Sequence, residues 1–321
     1  MAVPLHPFGH SDQAGSLGWR RKRHCSLRRL HRRAIIRTSD YLYTKEVMTM
    51  STDALDYSDF IEIAEGTYWV GYADKKAGLH CNPYLIADGD EAVLIDSGSR
   101  NEFSTVMLKI MRTGTNLNSI NRLIYQHYDP DLCGNIPHVE ATLENDDLQI
   151  ISHYENNIFI NYYGAKSPMR CIEKLDFHYD FASGRHLQFI LTPYAHSPGS
   201  FMTYDTKTKV LFSSDIFGSY DNSWDLYARM FEKCTDCIPQ DVCPITNKRC
   251  QLYGILDFHK RIMTSGKALM YALDKIKDLE VNLIAPQHGS ILQTSFTREL
   301  VIQKLKSLGP VGIDRLLGGA S

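Results

Sequence analysis

No stretch of about 18 uncharged apolar residues occurs in this chain, which excludes a transmembrane helix. No apolar signal segment is present either. The eight cysteines therefore do not read as the disulfide framework of a secreted protein, and a reducing, cytoplasmic setting is expected. No internal repeat is visible at solenoid periods, which excludes a repeat array. What remains is a chain of 321 residues, 43% hydrophobic, long enough for one large domain or two small ones with a substantial core.

The net charge of −2 hides an asymmetry. Residues 1–47 carry ten Lys and Arg against three Asp and Glu, so that segment is about +7 and the remainder about −9. Its basic part, "RRKRHCSLRRLHRR", has no apolar periodicity long enough for a packed helix. Residues 1–49 can be read as a tail for nucleic acid or anionic membrane, as a transit peptide, or as an upstream extension of the reading frame, with the working protein starting at Met48 or Met50. The last reading is preferred because the composition changes at once to "STDALDYSDFIEIAEGTYWVGY", and the basic segment is expected to be disordered. Nucleic acid and membranes are then not expected partners. The domain is expected over 50–308, with a cysteine-rich insert at 231–252 and a tail at 309–321.

From residue 60 onward short strands alternate with turns and helices. "FIEIAEGTYWVGY" reads as two strands around Glu65-Gly66, and "NPYLIADGDEAVLIDSG" as a hairpin of Tyr84–Ala87 and Ala92–Asp96. Phe103, Val106, Met107, Ile110 and Met111 mark an amphipathic helix ended by Gly114. Strands follow at "INRLIYQH", "LQIIS", "LQFILTPY", "TKVLFSSD" and "VNLIAPQH", with helices near 134–143, 154–163, 255–278 and 295–307. Strands in leading pairs with helices between them predict an α/β fold of two sheets covered by helices.

A polar ligand-type residue recurs just past a buried strand: His127, His196, Asp215 and His288. Any one of these alone reads as a cap or turn residue, and Asp129-Pro130 is itself a good turn starter. The set reads differently. "QHYDPD", "YAHSPGS", "SSDIFGS" and "APQHGS" each place nitrogen or oxygen donors in loops with small residues that permit close backbone approach. His127, Asp129, Asp131, His196, Asp215 and His288 fit two adjacent metal ions with one carboxylate free to bridge.

The order His-x-Asp-x-Asp, then "HSPGS", "SSD" and "PQHG", resembles the metallo-β-lactamase superfamily over roughly residues 60–305. Within it the pattern is most similar to the di-iron branch of flavodiiron proteins and oxygen-binding di-iron proteins, and Asp215 following His196 by 19 residues fits that branch. The resemblance implies a metallo-β-lactamase-like αββα sandwich of two mixed sheets covered by helices. It implies that His127, Asp129 and His196 hold one iron (Fe2+/Fe3+), that Asp131 and His288 hold the other, and that Asp215 bridges them. Asp129 stands where zinc hydrolases of the superfamily carry a second His, and a hard oxygen donor there favours iron. The departure is Leu132, where the family usually has a further His. The second iron is then expected to have an open face, shielded by the leucine. His80, in "GLHCNPYLI", is read as a hydrogen-bond donor near the site, with the alternative that it supplies the missing nitrogen. Tyr128 and Tyr194 flank the ligands, and either phenol can hydrogen-bond a bound oxygen ligand or simply pack. Asp131, Tyr194 and His80 are the expected catalytic side chains.

"CTDCIPQDVCPITNKRC" spaces Cys234, Cys237, Cys243 and Cys250 as C-x2-C-x5-C-x6-C, a pattern for Zn2+ or, more weakly, an Fe–S cluster, with loose thiols as the alternative. The insert is expected on the rim of the site. Cys25, Cys81, Cys133 and Cys171 read as ordinary thiols. A flavodoxin domain would follow in a flavodiiron protein. None is read here, and no FMN is expected in this chain. The resulting expectation is a di-iron protein that binds, and slowly reduces, O2 or NO, as a sensor or a reductase component. Its expected partners are a separate electron donor or signalling protein and a second copy in a homodimer. The alternative is a binuclear hydrolase of a phosphodiester, thioester or lactam, in which Asp131 orients the attacking water.

Overall fold

The computed structural model describes residues 55–73, 78–220 and 224–318, so the expected basic extension 1–49 lies outside them. Seven strands form the first sheet in chain order: β1 (Ile61–Ala64), β2 (Thr67–Trp69), β3 (Tyr84–Asp88), β4 (Glu91–Ile95), β5 (Ile120–Ile124), β6 (Gln149–Ser152) and β7 (Met169–Cys171). The first four pair antiparallel, and β4 through β7 pair parallel. The second sheet contains β8 (His178–Asp180), β9 (His186–Leu191), β10 (Phe201–Asp205), β11 (Val210–Phe212) and β12 (Leu283–Ala285), ordered β12-β11-β10-β9-β8. Only the β11–β12 pair in it is parallel.

Side chains alternate across a strand, and here both faces are apolar because both are covered. Tyr84, Ile86, Val93 and Ile95 point inward to meet Phe189, Phe201, Val210 and Phe212 of the other sheet. Leu85, Ala92 and Leu94 point outward onto a layer built from α1 (Phe103–Arg112), α2 (Pro130–Cys133), α3 (Ile136–Leu143) and α4 (Tyr154–Ile160). On the far side, Met202, Tyr204, Leu211 and Ile284 meet α5 (Gln251–Ile262), α6 (Gly266–Lys275) and α7 (Ser295–Lys306), and α8 (Ile313–Leu317) follows in the expected tail. The result is the expected αββα sandwich of two mixed sheets.

Two differences from the sequence reading have physical causes. The helix expected over 255–278 is two helices. Ser265 caps α6 by accepting from the Ala268 N–H, and the chain is extended at Met263. Strand β10 is absent from the sequence reading because Thr203 and Asp205 interrupt its apolar run. Both are nonetheless buried, Asp205 by pairing with the equally buried Arg185.

Candidate metal centre

Each ligand-type residue is held by the element it follows. His127 comes three residues after β5 ends, and its Nδ1 lies 3.0 Å from Ser214 Oγ, which turns Nε2 toward the site. Asp129 is the N-cap of α2, with Pro130 in the first helical turn, so the short helix begins there and places Asp131 one residue further on. His196 sits in a loop pinned to β6, where buried Asn156 donates to the Gly199 carbonyl (2.8 Å) and to Ser152 Oγ (3.0 Å). Asp215 follows β11. Its loop is tied to α5 by His259, which accepts from the Phe217 N–H at 3.0 Å and has Nδ1 2.7 Å from the Ile255 carbonyl. Burial drives His259 down to about 4, so it is a neutral clasp. His288 follows β12, and its Nδ1 donates to the His80 carbonyl at 2.9 Å. Gly289 then turns at φ +79°, where any Cβ would lie 2.1 Å from Ser219 Oγ.

The six side chains converge. The donor atoms of His127, Asp129 and His196 lie within 4.8 Å of one another. Asp215 reaches this group with Oδ2 2.9 Å from His196 Nε2 and Oδ1 3.9 Å from His127 Nε2. The same Oδ1 is 3.7 Å from His288 Nε2, which in turn is 3.1 Å from Asp131 Oδ2. Asp215 thus stands between two groups of donors. His127 Nε2 and Asp215 Oδ1 are buried and make no hydrogen bond. Buried polar atoms are rarely left that way, and two aimed at one space, each able to offer a lone pair, fit a cation between them.

The charges tell the same story. Burial alone would raise Asp215, yet His127, His196 and His288 around it hold its carboxyl far below the usual carboxylate range. Burial lowers His127. It also disfavours charge on His196 and His288, but hydrogen bonds to Asp215 and Asp131 outweigh it and raise both imidazoles. Asp131 and Asp215 stay ionised while protons are favoured on His196 and His288, and a divalent cation would displace those protons.

Three expected residues sit elsewhere in the arrangement. Leu132 is fully buried in the core between the first sheet and its helices, with its carbonyl accepting from Ser97. It is a packing residue, not the expected apolar shield over an open face. The ring of His80 stacks on Trp224 at 4.8 Å and joins neither donor group, so it does not supply the missing nitrogen. Tyr194 is 56% exposed and does not line the cavity over the site; Tyr220 and Tyr163 do. That cavity, about 780 Å3, is bounded by Asp129, Asp131, His196, Asp215 and His288, with the guanidinium residues Arg100 and Arg261 on its wall.

By sequence Cys81 reads as an ordinary thiol, but the structure places it beside the second donor group. Its Sγ is 3.9 Å from Asp131 Oδ2, and Cys81, Asp131 and His288 form a convergent set. Its neighbour Asn82 donates to the carbonyls of Pro286 (3.0 Å) and Gly289 (2.9 Å), clamping the His288 loop to the first sheet. Neither role is legible from local spacing, because these residues precede a strand while the other donors follow one.

The cysteine insert is not on the rim. It makes a tight turn in which Cys243 and Lys248, and Cys250 and Asp241, are backbone partners, and Lys304 of α7 donates to the Thr235 carbonyl. Cys234, Cys243 and Cys250 are buried and Cys237 is half-buried. Cys250 caps the start of α5, whereas Arg261 and Ile262 at its other end line the cavity. Twelve helical residues separate the two by roughly 18 Å.

Among the described residues no helix is long and apolar enough to cross a membrane. The chain is 27% identical over 218 residues to the anaerobic nitric oxide reductase flavorubredoxin of Pectobacterium carotovorum, covering 62% of this chain and 43% of that protein. Aligned regions span 35 to 49% of the length of such curated relatives, so the chain corresponds to less than half of each. Among solved structures, the chemotaxis sensor ODP in a peroxy diiron state aligns at a TM-score of 0.63 with 24% identity, covering 81% of this chain and 99% of that one. An apo form of that sensor from T. denticola aligns equally well, at 0.63 and 23% identity over 81% of this chain and 97% of its own. The flavodiiron protein from Giardia intestinalis aligns at 0.64 with 21% identity, covering 79% and 60% of the two chains. A family model described as ODP family beta lactamase matches residues 79–289, from the residue before His80 to the glycine after His288, and the chain belongs to that family.

Proposed function

We propose that this domain is a non-haem di-iron protein that binds O2 or NO and reduces it slowly, as a sensor or as one component of a reductase. One observation carries the reading: six nitrogen and oxygen donors fall into two groups that share Asp215, with the unpartnered His127 Nε2 and Asp215 Oδ1 facing the space between. His127, Asp129 and His196 would hold one iron and Asp131 and His288 the other, with Asp215 shared. The donors are hard or borderline, as iron prefers. Bound there, the irons would supply the electrons that a diatomic ligand takes up. The protein's own part is to hold the His288 imidazole in one tautomer through the His80 carbonyl, to orient the His127 ring through Ser214, and to place Tyr220 over the His288 side of the cavity. The relative named as an anaerobic nitric oxide reductase and the chemotaxis sensor solved as a peroxy diiron species support the choice of ligand.

The reading extends to a separate electron donor or signalling partner, a homodimer and a cytoplasmic setting. It also gives the insert a structural metal such as zinc. Phe231 N–H donates to Cys234 Sγ and Tyr253 N–H to Cys250 Sγ, while the Thr246 hydroxyl and the Thr246 and Ile245 amides hold the Cys243 thiol below its usual range. A hydrolase acting on an anionic ester is the second reading. The size of the cavity and its two arginines favour it, since a diatomic gas needs neither. Metal analysis of anaerobically purified protein, with optical spectra before and after air, separates the two. Two irons with a colour change on oxygenation support the first reading, and two zincs with esterase activity support the second. In the same assay, changing Cys234 and Cys237 to Ser should remove one zinc and leave the iron count unchanged.

A further inference from the structure

We propose that Cys81 is a thiolate ligand of the metal position formed by Asp131 and His288, so that the two positions of the centre differ in kind: one nitrogen and oxygen only, the other with sulfur. The inference rests on the two-metal reading above and adds a ligand to it. It is carried by position. Cys81 Sγ, Asp131 Oδ2 and His288 Nε2 lie within 4.8 Å of one another, the only such group besides His127, Asp129 and His196 among the described residues.

The thiol is also held in place. Its residue is 2% exposed. On one side its carbonyl accepts from the Tyr72 N–H at 3.2 Å. On the other, the Asn82 N–H donates to the Gln287 carbonyl at 2.9 Å, and the carbonyl of the preceding His80 receives His288 Nδ1. The residues on either side of Cys81 are therefore bonded to the His288 ring and to the carbonyl of Gln287, the residue just before it. A ligand pair fixed in this way loses little freedom when the ion arrives.

Chemically the step is simple. The Cys81 thiol gives its proton to solvent as sulfur binds the divalent ion, with no change in oxidation state. A bare ion beside a thiol deprotonates it outright, which overrides the effect of burial. With Asp215 shared, the second position then has carboxylate, imidazole, thiolate and bridging carboxylate donors, a set of four that needs nothing from Leu132. Thiolate also softens this position relative to the other, so iron, cobalt and zinc should be retained differently at the two.

Cobalt(II) tests this, because a thiolate–cobalt bond gives an intense near-ultraviolet charge-transfer band that imidazole and carboxylate do not. The full-length apo-protein is titrated anaerobically with Co2+, and the spectrum of Cys81→Ser is subtracted from that of wild type at equal loading, so any contribution from the insert cancels. The expected difference spectrum shows the band growing with one of the two site ions, and that ion binds at least about tenfold more weakly in Cys81→Ser. Cys81→His, which replaces sulfur by nitrogen, should recover retention without the band, and this distinguishes lost ligation from a damaged fold. Two cobalt ions bound to Cys81→Ser with wild-type affinity and no difference band would overturn the assignment while leaving the two-metal reading intact. A wild type that takes up no pair of ions beyond the insert would overturn both.

Discussion

Asp215 offers Oδ1 to His127 and His288, and Oδ2 to His196, from a fully enclosed position. Removing it takes a donor from both ions and leaves three imidazoles without their shared counter-charge. Asp215→Ala should therefore lose metal from both positions, whereas His196→Ala, which touches one group only, should mainly weaken one. Elemental analysis of the purified variants checks this, and full occupancy in Asp215→Ala would rule out the shared role. At this scale the sequence was informative where a donor follows a strand, because strand ends converge at one rim and local spacing shows them. It was silent on Cys81 and Asn82. Their partners are some fifty and two hundred residues away, and nothing in "HCNPY" marks them as facing Asp131 or Pro286. Leu132 misled for a related reason. A residue that fills a family's ligand position can still turn its side chain into the core, and only packing decides that.

Among the elements, α1 shows the limit of reading a helix by its apolar stripe. Val106, Met107 and Ile110 are buried as the pattern predicts, but Met111 is 58% exposed and Lys109 is buried instead. The lysine survives there because Nζ donates to the Gly71 carbonyl at 2.6 Å and lies 3.9 Å from the Trp69 ring centroid. Burial nevertheless lowers its ammonium from 10.5 to about 8. The unfolded chain then binds more protons at this group than the folded one between those two values. Its contribution to stability must rise with pH across that window, and below about 8 the burial penalty is present in full. Urea unfolding from pH 7 to 11 should show this rise as the difference between wild type and Lys109→Met, which has no proton to lose. A difference that stays flat would mean the ammonium is solvated. The helix stripe, the hairpins and most strand positions were legible because burial on one side leaves a period. Strand β10 was not, because it is buried on both sides and carries a paired acid, so no period survives.

Across the whole molecule, the centre belongs to both sheets, and something must hold them in register. His127, Asp129 and Asp131 come from the first sheet, and His196, Asp215 and His288 from the second. Asn82 is the most direct tie. Its two amide hydrogens go to the carbonyls of Pro286 and Gly289, on either side of His288, and its oxygen accepts from Trp69 Nε1 at 2.9 Å. Tyr84 adds a hydrogen bond from its hydroxyl to the Pro286 carbonyl at 2.9 Å. Asn82→Ala would strand two buried polar groups at once, the Trp69 Nε1–H and the Gly289 carbonyl, and leave the Pro286 carbonyl to Tyr84 alone; each unpaired group costs about 1–3 kcal/mol, with partial relief from relaxation. Metal-free protein should lose about 2–5 kcal/mol of stability. The more informative quantity is the gap between metal-loaded and metal-free stability. Binding stabilises only the folded state, so the gap reports affinity for the ions. If the clamp positions His288, the variant's gap should be smaller than that of wild type, because the loosened loop holds its ion less tightly. If the clamp serves folding alone, urea midpoints with and without metal should fall together and leave the gap unchanged.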